Sequence, residues 1–277
     1  MSKTEQFACE DVYLDYQSAK PVDPRVISKM LPYFNEQFGN PSSLHGTGDA
    51  ATNILEESRE MIAKFINAKP SEIIFTSSAT ESNNLALIGY ALRNKKKGNH
   101  IIISEVEHIS IHNIAKYLTR QGFEVSKVPV DSYGRIILRK LKARIRPETI
   151  LVSIGYASNE IGTLQPIKEI GKITRENDIA FHVDAVSAEG LIPIDVEQDD
   201  IDLLSLSSND IYGPRGVGAL YLRKGYRVKP LLIGGGQEKG LRSGSENIPG
   251  IVGFAYAAQL MIEEMDEEVK KTAILSR

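Results

Sequence analysis

The sequence has one cysteine and no tryptophan, and it lacks long apolar runs. A single thiol, at Cys9, cannot form a disulfide within the chain, which suits a reducing compartment and predicts a cytoplasmic protein. The first residues show no apolar core of a secretion signal, and no later run approaches the roughly 18 apolar residues of a membrane span. We therefore expect neither secretion nor membrane insertion.

An excess of positive charge is also missing. The 277 residues include 33 Lys and Arg against 36 Asp and Glu, a formal net charge of -3. This balance gives no electrostatic reason to expect nucleic acid or an anionic membrane as a partner. With 42% hydrophobic residues, the chain can form one large α/β domain, or one domain and an appendage. We predict no metal site.

Apolar runs and helical patterns alternate along the chain. Helical spacing predicts helices at 24–38, 49–67, 81–93, 110–121 and 166–177, and another that starts near residue 249. Short apolar runs predict seven strands, at 72–75, 100–104, 124–130, 149–156, 179–185, 203–207 and 216–224. The alternation predicts an α/β fold with a mostly parallel seven-stranded sheet flanked by helices.

A polar cluster follows each of five predicted strands. Ligands of open α/β sheets bind in the crevice beyond the carboxyl ends of the strands. Loops are polar in most proteins, so one such cluster would carry little weight. Five clusters rich in His, Asn, Asp, Ser and Thr predict one shared site: TSSATESNN, EVEH, ASNEIGT, AVSAEG and SND.

The first cluster places Ser77, Ser78, Ala79 and Thr80 directly before a predicted helix. Small residues there expose N–H groups at the positive end of the helix dipole, which would bind a phosphate. The same residues would serve equally well as an ordinary N-cap. The Gly and Lys of a P-loop are missing, which disfavours ATP and leaves a small phosphorylated ligand.

The other clusters also allow two interpretations for each polar residue. Asp184 could pair with a protonated ring nitrogen or cap the next segment. His108 could stack on an aromatic ligand, transfer protons or lie on a surface loop. Asn159 could donate to a ligand oxygen or hold its own turn. His182 lies inside a predicted strand, and we expect it to pack beneath the site.

A ligand that carries a ring cation and a phosphate and binds in a strand-end crevice matches pyridoxal phosphate (PLP). Two early segments, YLDYQSAKPVDPRV and GNPSSLHGTG, precede six later ones. The later segments are EIIFTSSATESNNLA, EVEHIS, ASNEIGTLQPI, FHVDAVSAEG, SSNDIYGPRGVGALYLRKG and GGGQEKGLRSGSENIPGIVGFAYA. In this order, all of them resemble the cysteine desulfurases of iron–sulfur cluster assembly, which are PLP enzymes of the class V aminotransferase group.

The resemblance covers essentially the whole chain and implies a domain organisation. Residues 1–20 would form a segment near the site, 21–250 a PLP-type large α/β domain, and 251–277 a helix leading toward a small domain. Family members continue past the position of Arg277. We therefore expect the small domain, the sulfur-accepting cysteine and a substrate-binding arginine to be absent from this chain. Cys9 does not match that cysteine.

The resemblance also implies roles around the cofactor ring. His108 would stack on the pyridine ring and is the expected catalytic residue. Asn159 would face the phenolic oxygen, and Asp184 would pair with the pyridinium nitrogen. Ala79 and Thr80 would hold the phosphate.

Four further residues stand at cofactor-binding positions of the family. Ser207 would add a phosphate contact, and Asn209 follows it at the same strand end. Ser187 replaces the family's usual Gln, which removes a hydrogen bond to the ring oxygen. Ser245 would reach the PLP phosphate of a neighbouring subunit, which implies a homodimer. Ser78 replaces a usual Gly and adds bulk to the phosphate loop.

The main departure from the family lies at the residue that forms the Schiff base. The family usually reads Ser-Gly-His-Lys where this chain has Ser207, Ser208, Asn209 and Asp210. A carboxylate cannot form an imine, and it adds negative charge near a bound phosphate. The resemblance therefore implies PLP that is held noncovalently and with reduced affinity.

Lys20 is a second departure, because the family usually has Thr at this position near the site. Its amine could bond to PLP in place of the missing lysine. We expect the simpler alternative, a solvated lysine before Pro21.

Three functions follow from the resemblance. The first is PLP-dependent mobilisation of sulfur from L-cysteine for iron–sulfur cluster assembly, with little turnover by this chain alone. The alternative, which Asp210 favours, is a catalytically impaired homodimer that docks an iron–sulfur scaffold protein. The third is sulfur delivery to transfer RNA, which the acidic balance does not support. The retained pocket residues favour the first.

Overall fold

Short runs of β-branched and aliphatic residues form the strands, as such residues do in buried sheets. A computed structural model describes residues 12–275, and the structural statements concern that part of the chain. Cys9 and Arg277 lie outside it, so the predictions made for them stay predictions. The strands are β1 (Ile73–Thr76), β2 (His100–Ser104), β3 (Glu124–Val128), β4 (Thr149–Gly155), β5 (Ala180–Asp184), β6 (Leu203–Ser207) and β7 (Gly218–Leu222).

The seven strands form one sheet in the order β1-β7-β6-β5-β4-β2-β3. Strand β7 runs antiparallel to both of its neighbours, β1 and β6, and the other neighbouring pairs are parallel. The predicted mostly parallel seven-stranded sheet is therefore confirmed. Because six strands share one direction, their carboxyl ends meet at one edge of the sheet.

Helices connect and cover the strands within the described residues. They are α1 (Pro24–Met30), α2 (Pro32–Asn35), α3 (Gly46–Phe65), α4 (Ala79–Asn84), α5 (Tyr90–Asn94), α6 (Ile109–Arg120), α7 (Leu138–Lys142), α8 (Ile167–Glu176) and α9 (Ile248–Leu275). A π-helical turn, Leu85–Gly89, joins α4 to α5, so helical structure runs without a break from Ala79 to Asn94. This run corresponds to the helix predicted at 81–93.

The prediction of one helix over 24–38 is wrong. Helix α1 ends at Met30, and the short α2 begins at Pro32. Proline has no N–H to donate, and its ring clashes with the preceding turn, so Pro32 starts a new helix. The remaining predicted helices agree with the structure to within a few residues.

Two hydrophobic clusters cover the two faces of the sheet. Side chains alternate along a strand, so Ile102 faces one cluster while Ile101 and Ile103 face the other. Helices α3, α8 and α9 supply the first cluster, and α6 and the 79–94 run supply the second. The fold thus has three layers, with a sheet between two layers of helices.

Helix α9 is packed over its first half and exposed toward its end. Ile251, Phe254 and Leu260 are buried, whereas Val269 and Ile274 are exposed. The helix predicted to start near residue 249 is thus confirmed as far as Leu275, and the assignment of 251–277 as a segment that leads to a further domain stays a prediction. No helix between residues 12 and 275 is long and apolar enough to cross a membrane.

Candidate active site

A cavity of about 1010 Å³ lies at the sheet edge where the six carboxyl ends meet. Residues that follow β1, β2, β4, β5 and β6 line it, so the five polar clusters converge as predicted. Ser245 is exposed and lies outside the cavity lining, and its contact with a neighbouring subunit stays a prediction. The other eight predicted cofactor-binding residues line the cavity: Ala79, Thr80, His108, Asn159, Asp184, Ser187, Ser207 and Asn209.

The first turn of α4 forms one end of the cavity. Ser78 is the N-cap, and its Oγ atom accepts a 3.2 Å hydrogen bond from the Glu81 N–H. The N–H groups of a first helical turn have no acceptor within the helix, so those of Ala79 and Thr80 are suited to an anion. Ser78 can therefore cap the helix while the N–H groups of Ala79 and Thr80 stay available to a phosphate, so both interpretations of the segment are compatible.

Gly218 of β7 makes this loop geometry possible. A Cβ atom at Gly218 would lie 2.7 Å from the carbonyl carbon of Ser78 and 3.0 Å from the nitrogen of Ala79. Real Cβ atoms are not found so close to main-chain atoms. The absence of a side chain on Gly218 thus lets the phosphate loop lie directly against β7.

Asp184 ends β5 and points into the cavity with only 8% of its surface exposed. Asn83 Nδ2 donates to its Oδ2 atom at 2.8 Å, and the Val186 N–H donates to Oδ1 at 3.2 Å. Burial raises the pKa of Asp184, while the hydrogen bond from Asn83 opposes that rise. A cationic ligand group would stabilise the ionised carboxylate.

His108 is exposed at the cavity and is the N-cap of α6. The Ser110 N–H donates to its Nδ1 atom at 3.2 Å. The Ser110 Oγ atom lies 2.8 Å from the same nitrogen, so Ser110 fixes the orientation of the ring. Asn159 lies in the exposed loop after β4, at the same cavity.

Glu107 is buried beside His108. Its Oε1 atom accepts from the Gly155 N–H at 3.1 Å and from the Ser104 hydroxyl. Burial raises the pKa of Glu107 to about 7. The other oxygen, Oε2, is buried without a hydrogen-bond partner among the described residues.

The strand end at Ser207 carries a chain of polar contacts. Its hydroxyl donates to Asn209 Oδ1 at 3.0 Å, and Asn209 Nδ2 donates to Asp210 Oδ2 at 2.9 Å. The buried Glu189 accepts from the Ser207 N–H at 2.9 Å. Burial raises the pKa of Asp210, and it raises that of Glu189 still further.

The expectation that Lys20 is solvated is wrong. Lys20 is half-buried in the cavity lining, and its Nζ atom donates to the main-chain oxygen of Asp210 at 2.6 Å. Burial lowers its pKa, although Asp210 and Glu189 act in the opposite direction. The structure therefore brings an amine next to Asp210, which is predicted to stand at the position of the family's lysine.

His182 packs beneath the site, as predicted. Its ring is fully buried, with Nδ1 2.8 Å from Ser153 Oγ and Nε2 3.1 Å from Ser205 Oγ. Burial lowers its pKa to about 3. His182 is therefore a neutral bridge between β4 and β6.

The lining fits PLP at its phosphate and ring ends. The first turn of α4 suits a phosphate, and buried Asp184 suits a ring cation. Asn83 Oδ1 and Glu107 Oε2 are buried at the cavity without a partner among the described residues, and a polar ligand would supply one. Asp210 does not fit the role of the family's lysine.

A comparison with protein families identifies the class to which this arrangement belongs. The profile described as aminotransferase class-V matches residues 12–275. This chain belongs to the class V aminotransferase family, whose members include the PLP-dependent cysteine desulfurases.

Curated relatives show which members of this family are similar to this chain. "Cysteine desulfurase IscS 1" of Archaeoglobus fulgidus is 57% identical over 256 residues, which cover 92% of this chain and 67% of the relative. "Cysteine desulfurase IscS" of Clostridium botulinum is 47% identical over 266 residues, 96% of this chain and 67% of the relative. This chain thus spans about two thirds of the length of both.

The structural similarity is equally extensive. A solved "NifS-like protein" matches with a TM-score of 0.90 at 43% identity, covering 92% of this chain and 71% of its own. A structure named "SspA in complex with cysteine" matches with a TM-score of 0.87 at 41% identity, covering 90% and 72%.

Proposed function

We propose that this chain binds PLP in the strand-end cavity and takes part in mobilising sulfur from L-cysteine for iron–sulfur cluster assembly. We further propose that it acts in the cytoplasm as a homodimer and docks an iron–sulfur scaffold protein. One observation carries the proposal. The hydrogen-bonded Asp184, the His108 ring and the first turn of α4 all line one cavity at the carboxyl ends of the strands.

Each of these groups has a distinct task. The N–H groups of Ala79 and Thr80 bind the phosphate, and Asn159 donates to the phenolic oxygen. His108 covers one face of the ring. Asp184 holds a proton on the ring nitrogen, and bound PLP then supplies an electron sink. Asn83 keeps Asp184 oriented for this contact.

The acceptor of sulfur lies outside the described part of the chain. Residues 12–275 contain no cysteine. We therefore propose that the acceptor thiol comes from another part of the protein or from a second chain.

Equilibrium dialysis against PLP and a sulfide-release assay with L-cysteine test the proposal. The matched variants are Asp184→Ala and Asp266→Ala, because Asp266 is exposed on α9. We expect Asp184→Ala to weaken PLP binding by about 10-fold or more, the scale of one charge-assisted hydrogen bond. Equal affinity in both variants would contradict the assignment of the cavity.

Asp210 supports a second candidate function, docking without turnover. The resemblance places this carboxylate where the family has an amine, and its charge also acts on the buried acid Glu189. This function predicts that the chain co-elutes with an iron–sulfur scaffold protein but neither retains PLP nor releases sulfide. Asp210→Lys is then the informative variant, because a gain of PLP binding would show that the rest of the cavity is intact.

A further inference from the structure

Lys20 is the one lysine among the described residues that line the cavity. Five carboxyl groups line the same cavity: Glu107, Glu160, Asp184, Glu189 and Asp210. The charges of two of these acids, Asp210 and Glu189, act on the Lys20 amine, which is half-buried, unlike the solvated lysines of the surface.

The amine has a defined position. Its Nζ atom lies 2.6 Å from the Asp210 main-chain oxygen and 5.0 Å from the centre of the Tyr212 ring. The Asp23 N–H donates to the main-chain oxygen of Tyr212 at 2.9 Å. This hydrogen bond connects the segment that carries Lys20 to the turn that follows β6. Two stretches of chain 190 residues apart therefore meet at Asp210, the position that the resemblance assigns to the family's Schiff-base lysine.

We propose that Lys20 supplies the amine that bonds covalently to the aldehyde of PLP in this chain. This inference rests on the proposed function, because it requires PLP in the cavity. A lysine side chain has four rotatable bonds, so Nζ can leave the Asp210 oxygen and turn into the cavity while the main chain stays in place.

The chemistry balances without any further reagent. The neutral amine adds to the aldehyde carbon, and a carbon–nitrogen double bond replaces the carbon–oxygen one. The two amine hydrogens leave with the aldehyde oxygen as water, and nothing is oxidised or reduced. Burial lowers the pKa of Lys20 and so favours the neutral form, while the carboxyl groups of Asp210 and Glu189 can take up the proton that the ammonium loses.

Borohydride reduction tests the proposal directly. The full chain is incubated with PLP, reduced, digested and mapped by mass spectrometry. We expect about one pyridoxyl adduct per chain, on Lys20, since it is the one lysine in the cavity lining over residues 12–275. Lys20→Arg keeps the positive charge but cannot form the imine, so it should lose the adduct, as should Lys20→Ala.

Lys29→Ala is the matched control. The Lys29 amine also lies over a tyrosine ring, 5.9 Å from the centre of Tyr256, but on α1 and outside the cavity lining. This variant should keep the full yield of the Lys20 adduct. If Lys20→Ala fails to fold, as circular dichroism would show, Lys20→Arg still provides the comparison.

Equilibrium dialysis of unreduced samples separates the two proposals. Retained PLP without an adduct, or with its adduct on another lysine, would overturn the role of Lys20 and leave PLP binding intact. Failure to retain PLP would overturn both. Retained PLP together with an adduct that only Lys20 variants lose would establish the covalent site.

Discussion

Asn83 Nδ2 lies 2.8 Å from Asp184 Oδ2, and this hydrogen bond joins α4 to the end of β5. It opposes the effect of burial, which raises the pKa of Asp184. Asn83 therefore favours the ionised form of this buried acid and fixes its orientation. The Asn83 amide thus holds the Asp184 carboxylate in an orientation in which it can contact a ring cation.

Asn83→Ala should weaken PLP binding. Loss of one hydrogen bond to a charged group corresponds to about 1.4 kcal/mol, or about 10-fold in Kd. Equilibrium dialysis measures the change. Asn84→Ala is the control, since the Asn84 amide donates to the Thr80 oxygen in its own helix. Indistinguishable Kd values for Asn83→Ala and the unaltered protein would refute this role.

Glu107→Gln should change how stability depends on pH. Glu107 has a pKa of about 7 in the folded protein, against about 4.3 for an unperturbed Glu. Between these values the folded state binds more protons than the unfolded state, so the free energy of unfolding falls as pH rises toward 7 and is then constant. Gln does not titrate and lacks this fall, which amounts to about 4 kcal/mol at most.

Urea unfolding at pH 5 and pH 8 measures the Glu107 effect. The unaltered protein should lose more stability than Glu107→Gln between the two pH values. Glu105→Gln serves as the control because the Glu105 side chain is exposed two residues earlier. Parallel pH dependence in the unaltered protein and Glu107→Gln would rule out a titrating Glu107.

Arg59→Met should destabilise the fold. Arg59 makes two 2.8 Å hydrogen bonds to Glu238, and both side chains are almost fully buried. Glu238 also accepts from the Phe75 N–H in β1 at 2.8 Å. Removal of one partner leaves a buried charge, which costs about 3–5 kcal/mol. Denaturant unfolding measures the loss.

Arg146→Met is the control for the buried pair. Arg146 contacts Glu124 nearer the surface, where the two side chains are 39% and 61% exposed. Exposed ion pairs contribute about 0–1 kcal/mol. Similar losses for the two variants would show that burial of the Arg59 pair has no energetic consequence.

Gly218→Ala should disturb the phosphate loop. Its Cβ atom would meet the Leu206 oxygen and the Ser78 carbonyl carbon, each at 2.7 Å. Overpacking of this kind costs about 1–3 kcal/mol, and it should also lower PLP affinity. Gly46→Ala is the control, because a Cβ atom there has nothing within 4 Å. Equal stability of the two variants by thermal unfolding would disprove the close approach.

Much of the fold could be predicted from the sequence because it depends on local patterns. Apolar runs bounded by polar clusters predict all seven strands, and strand ends that face one crevice predict the residues of the cavity. The break at Pro32 was missed because the apolar pattern continues across it, although the missing N–H of proline was the available signal.

Contacts within the site were harder to predict, because they join segments that are distant in sequence. Asn83, Glu189 and Lys20 acquire their roles only through Asp184, Ser207 and Asp210. One signal was present in the sequence: Glu189 is the only acid in the otherwise uncharged stretch between Asp184 and Asp195. Spacing along one chain does not say which polar residue such an acid will meet.

The antiparallel strand β7 has a consequence for the order in which the protein assembles. Within the sheet β1 pairs with β7 alone, so it cannot join until residues 218–222 have left the ribosome. Strands β2 to β6 can associate earlier, since each has a partner made before β7. Pairing between strands that are distant in sequence, as β1 and β7 are, slows folding. The phosphate loop after β1 is thus completed late in synthesis, and a nascent chain has most of its sheet before it has a place to hold a cofactor.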